Sequence, residues 1–150
     1  MKKLTQEHFQ ERRDILAGEM GLRSIAIIAT SPVAMRNNDA DYKYRADSSF
    51  FYLTGFAEPE AVAVIETFDT EEEGYCYSLF CRERNREMEI WNGYRAGIDG
   101  AIENYEADEA FAIESLDEEI IGKLTDKDIF FYRIGHDADF DIRVAKWVKK

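Results

Sequence analysis

Apolar residues change their spacing along the chain, and each spacing predicts an element. Over Thr5–Met20, the residues Phe9, Leu16 and Met20 fall on one stripe at helical spacing, with Arg12 and Arg13 beside it. Thr5 can cap that helix, and Gly21 can end it in a left-handed turn. Ser24–Ala29, "SIAIIA", is apolar without alternation, the pattern of a strand covered on both faces. Ala61–Thr67, "AVAVIET", and Tyr75–Cys81, "YCYSLFC", predict two further strands. The short acidic link "FDTEEEG" makes them an antiparallel hairpin. Ile98–Asp108 predicts a helix and Ala110–Ile113 a short strand. Ser115 and Glu118 have capping-box spacing and start a helix that ends near Lys123 or Leu124. Asp128–Ile134, "DIFFYRI", predicts a buried strand. Asp139–Lys150 predicts an amphipathic helix with Phe140, Val144, Trp147 and Val148 on one side.

Two segments show no period. Thr30–Glu60 is long, polar and aromatic, and Arg82–Gly97 is polar with Trp91 and Tyr94 embedded. Long loops are unusual in compact domains and are often functional. In "DSSFFYLTGFAEPEAVAVI", Asp47–Ile65, three consecutive aromatics are expected to wedge an irregular segment onto the sheet. Gly55, through permissive backbone angles, and Pro59, through its fixed φ, then shape a turn into the strand at Ala61. Helices that interleave with about five strands, one pair antiparallel, predict an α/β domain: a mixed sheet flanked by helices. Residues 1–150 read as one domain, cut from a longer chain.

Composition narrows the partners. A hydrophobic fraction of 45% supports a core and excludes a disordered tail. With 31 acidic against 19 basic residues the net charge is −12, which repels phosphate backbones, so no nucleic acid partner is expected. The basic runs Arg82–Arg86 and Lys146–Lys150 are too diluted to reverse this. Cys76 and Cys81 sit at odd spacing in one strand, so they point to opposite faces and do not pair. That suits a reducing, cytoplasmic setting. The N-terminus lacks the apolar core of a signal peptide, and no apolar run is long enough to span a bilayer.

Candidate chemistry is sparse. His8 has Arg12 rather than a ligand one turn on. "HDADFD", His136–Asp141, could be a ligand cluster, but acidic residues before a helix more simply cap it. "NNDAD", Asn37–Asp41, lacks the glycine and glutamate of a calcium loop. No G-x-S-x-G is present, and neither cysteine has a histidine near it in sequence. "IGKLT" lacks the first glycine of a phosphate loop and the Ser/Thr after its lysine, and "GYRAGIDG" follows no strand. The chain reads as a domain without a self-contained active site, its function signal confined to the two irregular segments.

Those segments carry a resemblance. "DYKYRADSSFFYLTGFAEPEAVAVI" resembles the aminopeptidase P (Xaa-Pro aminopeptidase) N-terminal domain, whose pattern is Y-x-Y/F-R-x-D/N-S-x-F-x-Y-L/F-T-G-F-x-E-P-x-A. "EIWNGYRAG", Glu89–Gly97, resembles the same family's E-x-W-x-G-x-R-x-G segment, and "TQEHFQERRDILAGEM" resembles its opening helix. The resemblance covers Thr5 to about Ile134; beyond that the chain is similar only in character.

The resemblance implies a ribonuclease-H-like α/β domain joined to a "pita-bread" catalytic domain that this chain lacks. The catalytic domain would bind two divalent metals, usually manganese, through Asp, His and Glu ligands. It would use metal-activated water to cleave the bond before proline. The N-terminal domain is then inactive alone. Its implied roles are contacts in a homodimer or homotetramer and narrowing of the active-site mouth, where a proline-containing peptide enters. Trp91 and Asp39 are the positions implied to reach that mouth, which in oligomeric members includes a neighbouring subunit's. Trp91 could instead be a half-buried packing residue, and Asp39 a solvated loop carboxylate. Arg45 and Arg95 are expected to pin irregular backbone, with Gly55, Pro59 and Gly93 as structural motif positions. A prolidase or creatinase relative, or a free-standing interaction module, are the alternative readings.

Overall fold

Apolar runs without alternation become the interior strands of one sheet. The computed structural model describes residues 6–30, 48–133 and 137–149. In chain order its elements are α1 (Gln6–Met20), β1 (Ser24–Ala29), α2 (Ser48–Thr54), β2 (Val62–Thr67), β3 (Tyr75–Cys81), α3 (Arg86–Asn92), α4 (Gly97–Tyr105), β4 (Glu109–Ala112), α5 (Leu116–Leu124), β5 (Ile129–Tyr132) and α6 (Ala138–Val148). The five strands lie in the order β4-β3-β2-β1-β5. The β1/β2 and β2/β3 pairs are antiparallel, and the β1/β5 and β3/β4 pairs are parallel. This is a mixed sheet with helices on both faces, the α/β class that the pattern predicts.

Alternation across each strand divides the core in two. Ala26, Ala63, Ile65, Tyr77 and Leu79 face α1, α2 and α4. Ile25, Ile27, Val62, Val64 and Phe80 face α5 and α6. Every residue of β2 is buried, as a central strand with helices on both sides requires. Gly21 ends α1 at φ 81°. Asp137 caps α6 by accepting from the Asp139 and Phe140 amides, which is the capping reading of "HDADFD". The capping position proposed for Thr5 lies outside the described residues.

Five local expectations are corrected. The aromatic run is helical, as α2, rather than an irregular wedge. Arg82–Gly97 likewise contains a helix, α3. Ser115 makes no side-chain cap; its hydroxyl donates to the Ala112 carbonyl at 2.8 Å, because a short 3-10 turn at Ile113–Ser115 intervenes. β5 is an edge strand rather than a buried one, with Ile129 and Phe131 exposed on one face. On α6, Phe140, Val144 and Trp147 are buried while Val148 is exposed. Among the described residues, no helix is long and apolar enough to cross a membrane.

α2 owes its place to α1. A seven-residue helix is marginal alone, and its last carbonyls need donors. Arg12 Nη1 donates to the Tyr52 carbonyl at 3.1 Å, and the buried Arg13 donates to Leu53 at 2.8 Å. Arg12 also stacks on the Tyr52 ring and Arg13 on Tyr77. Phe50 and Phe56 are fully buried, Phe56 lying edge-on to Tyr105 at 4.9 Å. Gly55 closes the helix at φ 70°, and a Cβ there would lie 2.5 Å from the Phe9 ring.

Candidate functional site

The segment from Arg82 to Gly97 leaves the sheet after β3 and returns as α4. Asn85 starts α3 as its N-cap, accepting from the Met88 amide at 3.2 Å. Gly93 ends it at φ 94°, its amide donating to the Glu89 carbonyl at 2.9 Å. Glu89 sits inside the turn. Its carboxylate accepts from the Asn85 amide at 3.0 Å, the Arg95 amide at 3.0 Å and Arg84 Nη2 at 2.9 Å. The Arg95 amide foremost, then Arg84 and Asn85, hold its pKa below the ordinary carboxylate range. Arg95 Nη1 donates to the Glu83 carbonyl at 3.1 Å, and Arg84 lies over the Tyr94 ring.

A second carboxylate anchors the base. Glu58 accepts from the Ala96 amide at 2.8 Å and from Arg82 Nη2 at 3.4 Å. It neighbours Pro59, so the segment before β2 and the segment after β3 are joined through one side chain. Glu58, Asn85 and Glu89 were not singled out from sequence as site residues. Both glutamates lie inside the quoted motifs, and Asn85 with Gly93 brackets seven residues with ordinary start and stop signals.

Held this way, α3 turns its apolar side chains to solvent. Trp91 is 84% exposed and Ile90 78%, with Tyr94 and Met88 exposed beside them. Trp91 is therefore not the half-buried packing residue. An indole on a braced backbone offers a flat apolar wall with one N–H donor. These four neighbouring side chains make an exposed apolar group on an acidic protein. The structure brings Trp91, Gly93 and Arg95 together on this segment and places Gly55 and Pro59 on the scaffold that buttresses it. Asp39 and Arg45 lie outside the described residues.

Among the described residues, two other features offer candidate chemistry, a cavity and a cluster of possible ligands. A cavity of about 390 Å³ between α1, α2 and the β1–β5 edge is lined mostly by apolar groups, and Asp137, its carboxylate, is spent on the α6 cap. Glu66, Cys76 and Glu109 have ligand atoms close enough for a metal. The Lys123 ammonium already sits among them, 3.0 Å from Glu66 and 3.4 Å from Glu109. Burial first, then the Glu109 hydrogen bond, pushes the Cys76 thiol up to about 12 and keeps it protonated. This trio does not match the Asp/His/Glu ligand set that the sequence resemblance implies for two metals.

Comparison with known proteins agrees with the motifs. Residues 9–131 match the family described as aminopeptidase P, N-terminal domain. The Xaa-Pro aminopeptidase of Escherichia coli K12 is 36% identical over 151 residues, covering 100% of this chain and 34% of that protein. A structure of Pseudomonas aeruginosa aminopeptidase PepP superposes with a TM-score of 0.89 at 42% identity, covering 99% of this chain and 33% of that one. A zinc-substituted E. coli aminopeptidase P in complex with product gives 0.92 at 34% identity and the same coverage. The likeness thus continues past Ile134, where the sequence motifs fade. The chain spans about a third of the length of these relatives.

Proposed function

The chain belongs to the aminopeptidase P N-terminal domain family, and from that membership we propose that it serves as the non-catalytic part of an Xaa-Pro aminopeptidase. In this reading a C-terminal catalytic domain carries two divalent metals, manganese by expectation, and performs the hydrolysis. This domain shapes the mouth through which a proline-containing peptide enters, and it contributes contacts in a homodimer or homotetramer. The observation that carries the reading is Trp91, 84% exposed on a segment whose backbone is tied down by two carboxylates. A rigid exposed indole can rest against a peptide side chain that follows the proline at little entropic cost. Asp39 is proposed to join it at the mouth, pairing with an arginine of the catalytic domain or with the peptide.

Arg95 and Arg45 are proposed to brace backbone rather than touch peptide; the Arg95 bond to the Glu83 carbonyl supports that for Arg95. A cytoplasmic setting fits two free cysteines. The reading is tested by assaying the 150-residue chain on Xaa-Pro peptides with added manganese, beside the full-length protein. Turnover by the full-length protein alone is expected. Turnover by the short chain that survives purification controls would overturn the non-catalytic assignment.

A further inference from the structure

Trp91 is so exposed that little side-chain packing can hold it in place. Its direction is therefore set by the backbone of α3 and its flanks. A seven-residue helix does not hold itself together in water. The feature that closes it is the carboxylate of Glu89, 11% exposed. One oxygen accepts from the Asn85 amide at 3.0 Å, at the start of the helix, and the other from the Arg95 amide at 3.0 Å, beyond its end. Arg84 supplies the countercharge to both oxygens, at 2.9 and 3.5 Å. Residues two apart on a helix point to nearly opposite sides, so turning Glu89 inward turns Trp91 outward.

We infer that Glu89 is the positioning residue for Trp91: by bonding both ends of the segment at once, it fixes the direction in which the indole meets the peptide. The inference rests on the peptide-facing reading of Trp91. Glu58 seats the same segment on the sheet through Ala96, but it lies outside the closed turn and does not orient the helix within it. A glutamine at position 89 keeps one accepting oxygen and so retains one of the two backbone bonds; an alanine retains neither.

The test uses the full-length protein with Glu89→Ala, Glu89→Gln, Trp91→Ala and the Glu89→Ala/Trp91→Ala double variant. The substrates are an Xaa-Pro dipeptide and a longer peptide with the same first two residues. Glu89→Ala is expected to raise KM for the longer peptide about five- to tenfold more than for the dipeptide, with the change in KM rather than kcat. Glu89→Gln is expected to fall between wild type and alanine. The double variant is expected to be no worse than Trp91→Ala alone, because the two residues act as one unit. Amide exchange at Arg95 should speed up about tenfold or more in Glu89→Ala.

Equal losses on both peptides, multiplicative losses in the double variant, or unchanged exchange at Arg95 would each overturn the inference. If Trp91→Ala shows no dependence on peptide length, the peptide-facing reading fails and the inference fails with it. If Trp91→Ala shows that dependence and the Glu89 variants do not, the inference alone fails.

Discussion

The helices α2 and α3 are both seven residues long and both end at a glycine with positive φ, yet their aromatic residues meet different surroundings. In the α2 segment, Phe50 and Phe56 are fully buried, the exposed Phe51 and Tyr52 lie against Phe9 and Arg12 of α1, and arginines of that helix cap the last carbonyls. In the α3 segment, Trp91 and Ile90 are exposed, and the caps are local: Asn85, Glu89 and a glycine. The aromatic-rich motif is therefore scaffold. The contact surface proposed for this domain lies where large apolar side chains are most exposed and the backbone is nevertheless fixed. Density of aromatics along a sequence did not separate these roles; what braces the backbone did.

The largest test of this contrast is truncation. Phe56→Ala should cost about 3–5 kcal/mol in denaturant unfolding, since a buried ring leaves a cavity. Trp91→Ala should cost less than about 0.5 kcal/mol, as an exposed side chain does. Comparable losses at the two positions would erase the distinction. Next is Gly55→Ala, which forces a side chain into positive φ and into the Phe9 ring. Strain of about 1–3 kcal/mol plus overpacking of similar size should lower the melting temperature by several degrees or more. Gly93→Ala carries the strain without the clash and should cost roughly half as much, with faster amide exchange confined to the α3 segment. Arg13→Met should cost about 2 kcal/mol by leaving the Leu53 carbonyl without its charged donor.

The smallest effect is acid sensitivity. Glu89 has a folded-state pKa below the ordinary value, so its contribution is complete above the unfolded carboxylate pKa, about 4.3. It is lost as pH falls through the lower folded value. The Arg95 amide resonance should hold its position down to that range and shift only below it. The Tyr52 carbonyl of α2 accepts from Arg12 with no carboxylate between them, and the Tyr52 region should not follow the same curve. A shared midpoint would mean that the two segments are one cooperative unit.

Much of the fold was legible because strands buried on both faces need continuous apolar runs. Ser24–Ala29 and Tyr75–Cys81 coincide with β1 and β3 residue for residue. The short helices were not, for different reasons. α2 depends on Arg12 and Arg13, some forty positions away, which no local pattern reveals. α3 did carry local signals in Asn85 and Gly93, but its apolar residues have no buried face and so no helical stripe to count. β5 looked buried because "IFFY" is apolar at every position, and only topology places it at the sheet edge. The motif glutamates show their use only once Ala96, Arg95 and Asn85 come together in space.

The central claim is that Trp91 meets the peptide beyond its first two residues. It is tested most directly by steady-state kinetics of the full-length protein and its Trp91→Ala variant on an Xaa-Pro dipeptide and on a longer peptide sharing that start. The account predicts that kcat/KM falls about tenfold more on the longer peptide than on the dipeptide. An equal fall on both, or none on either, would contradict it.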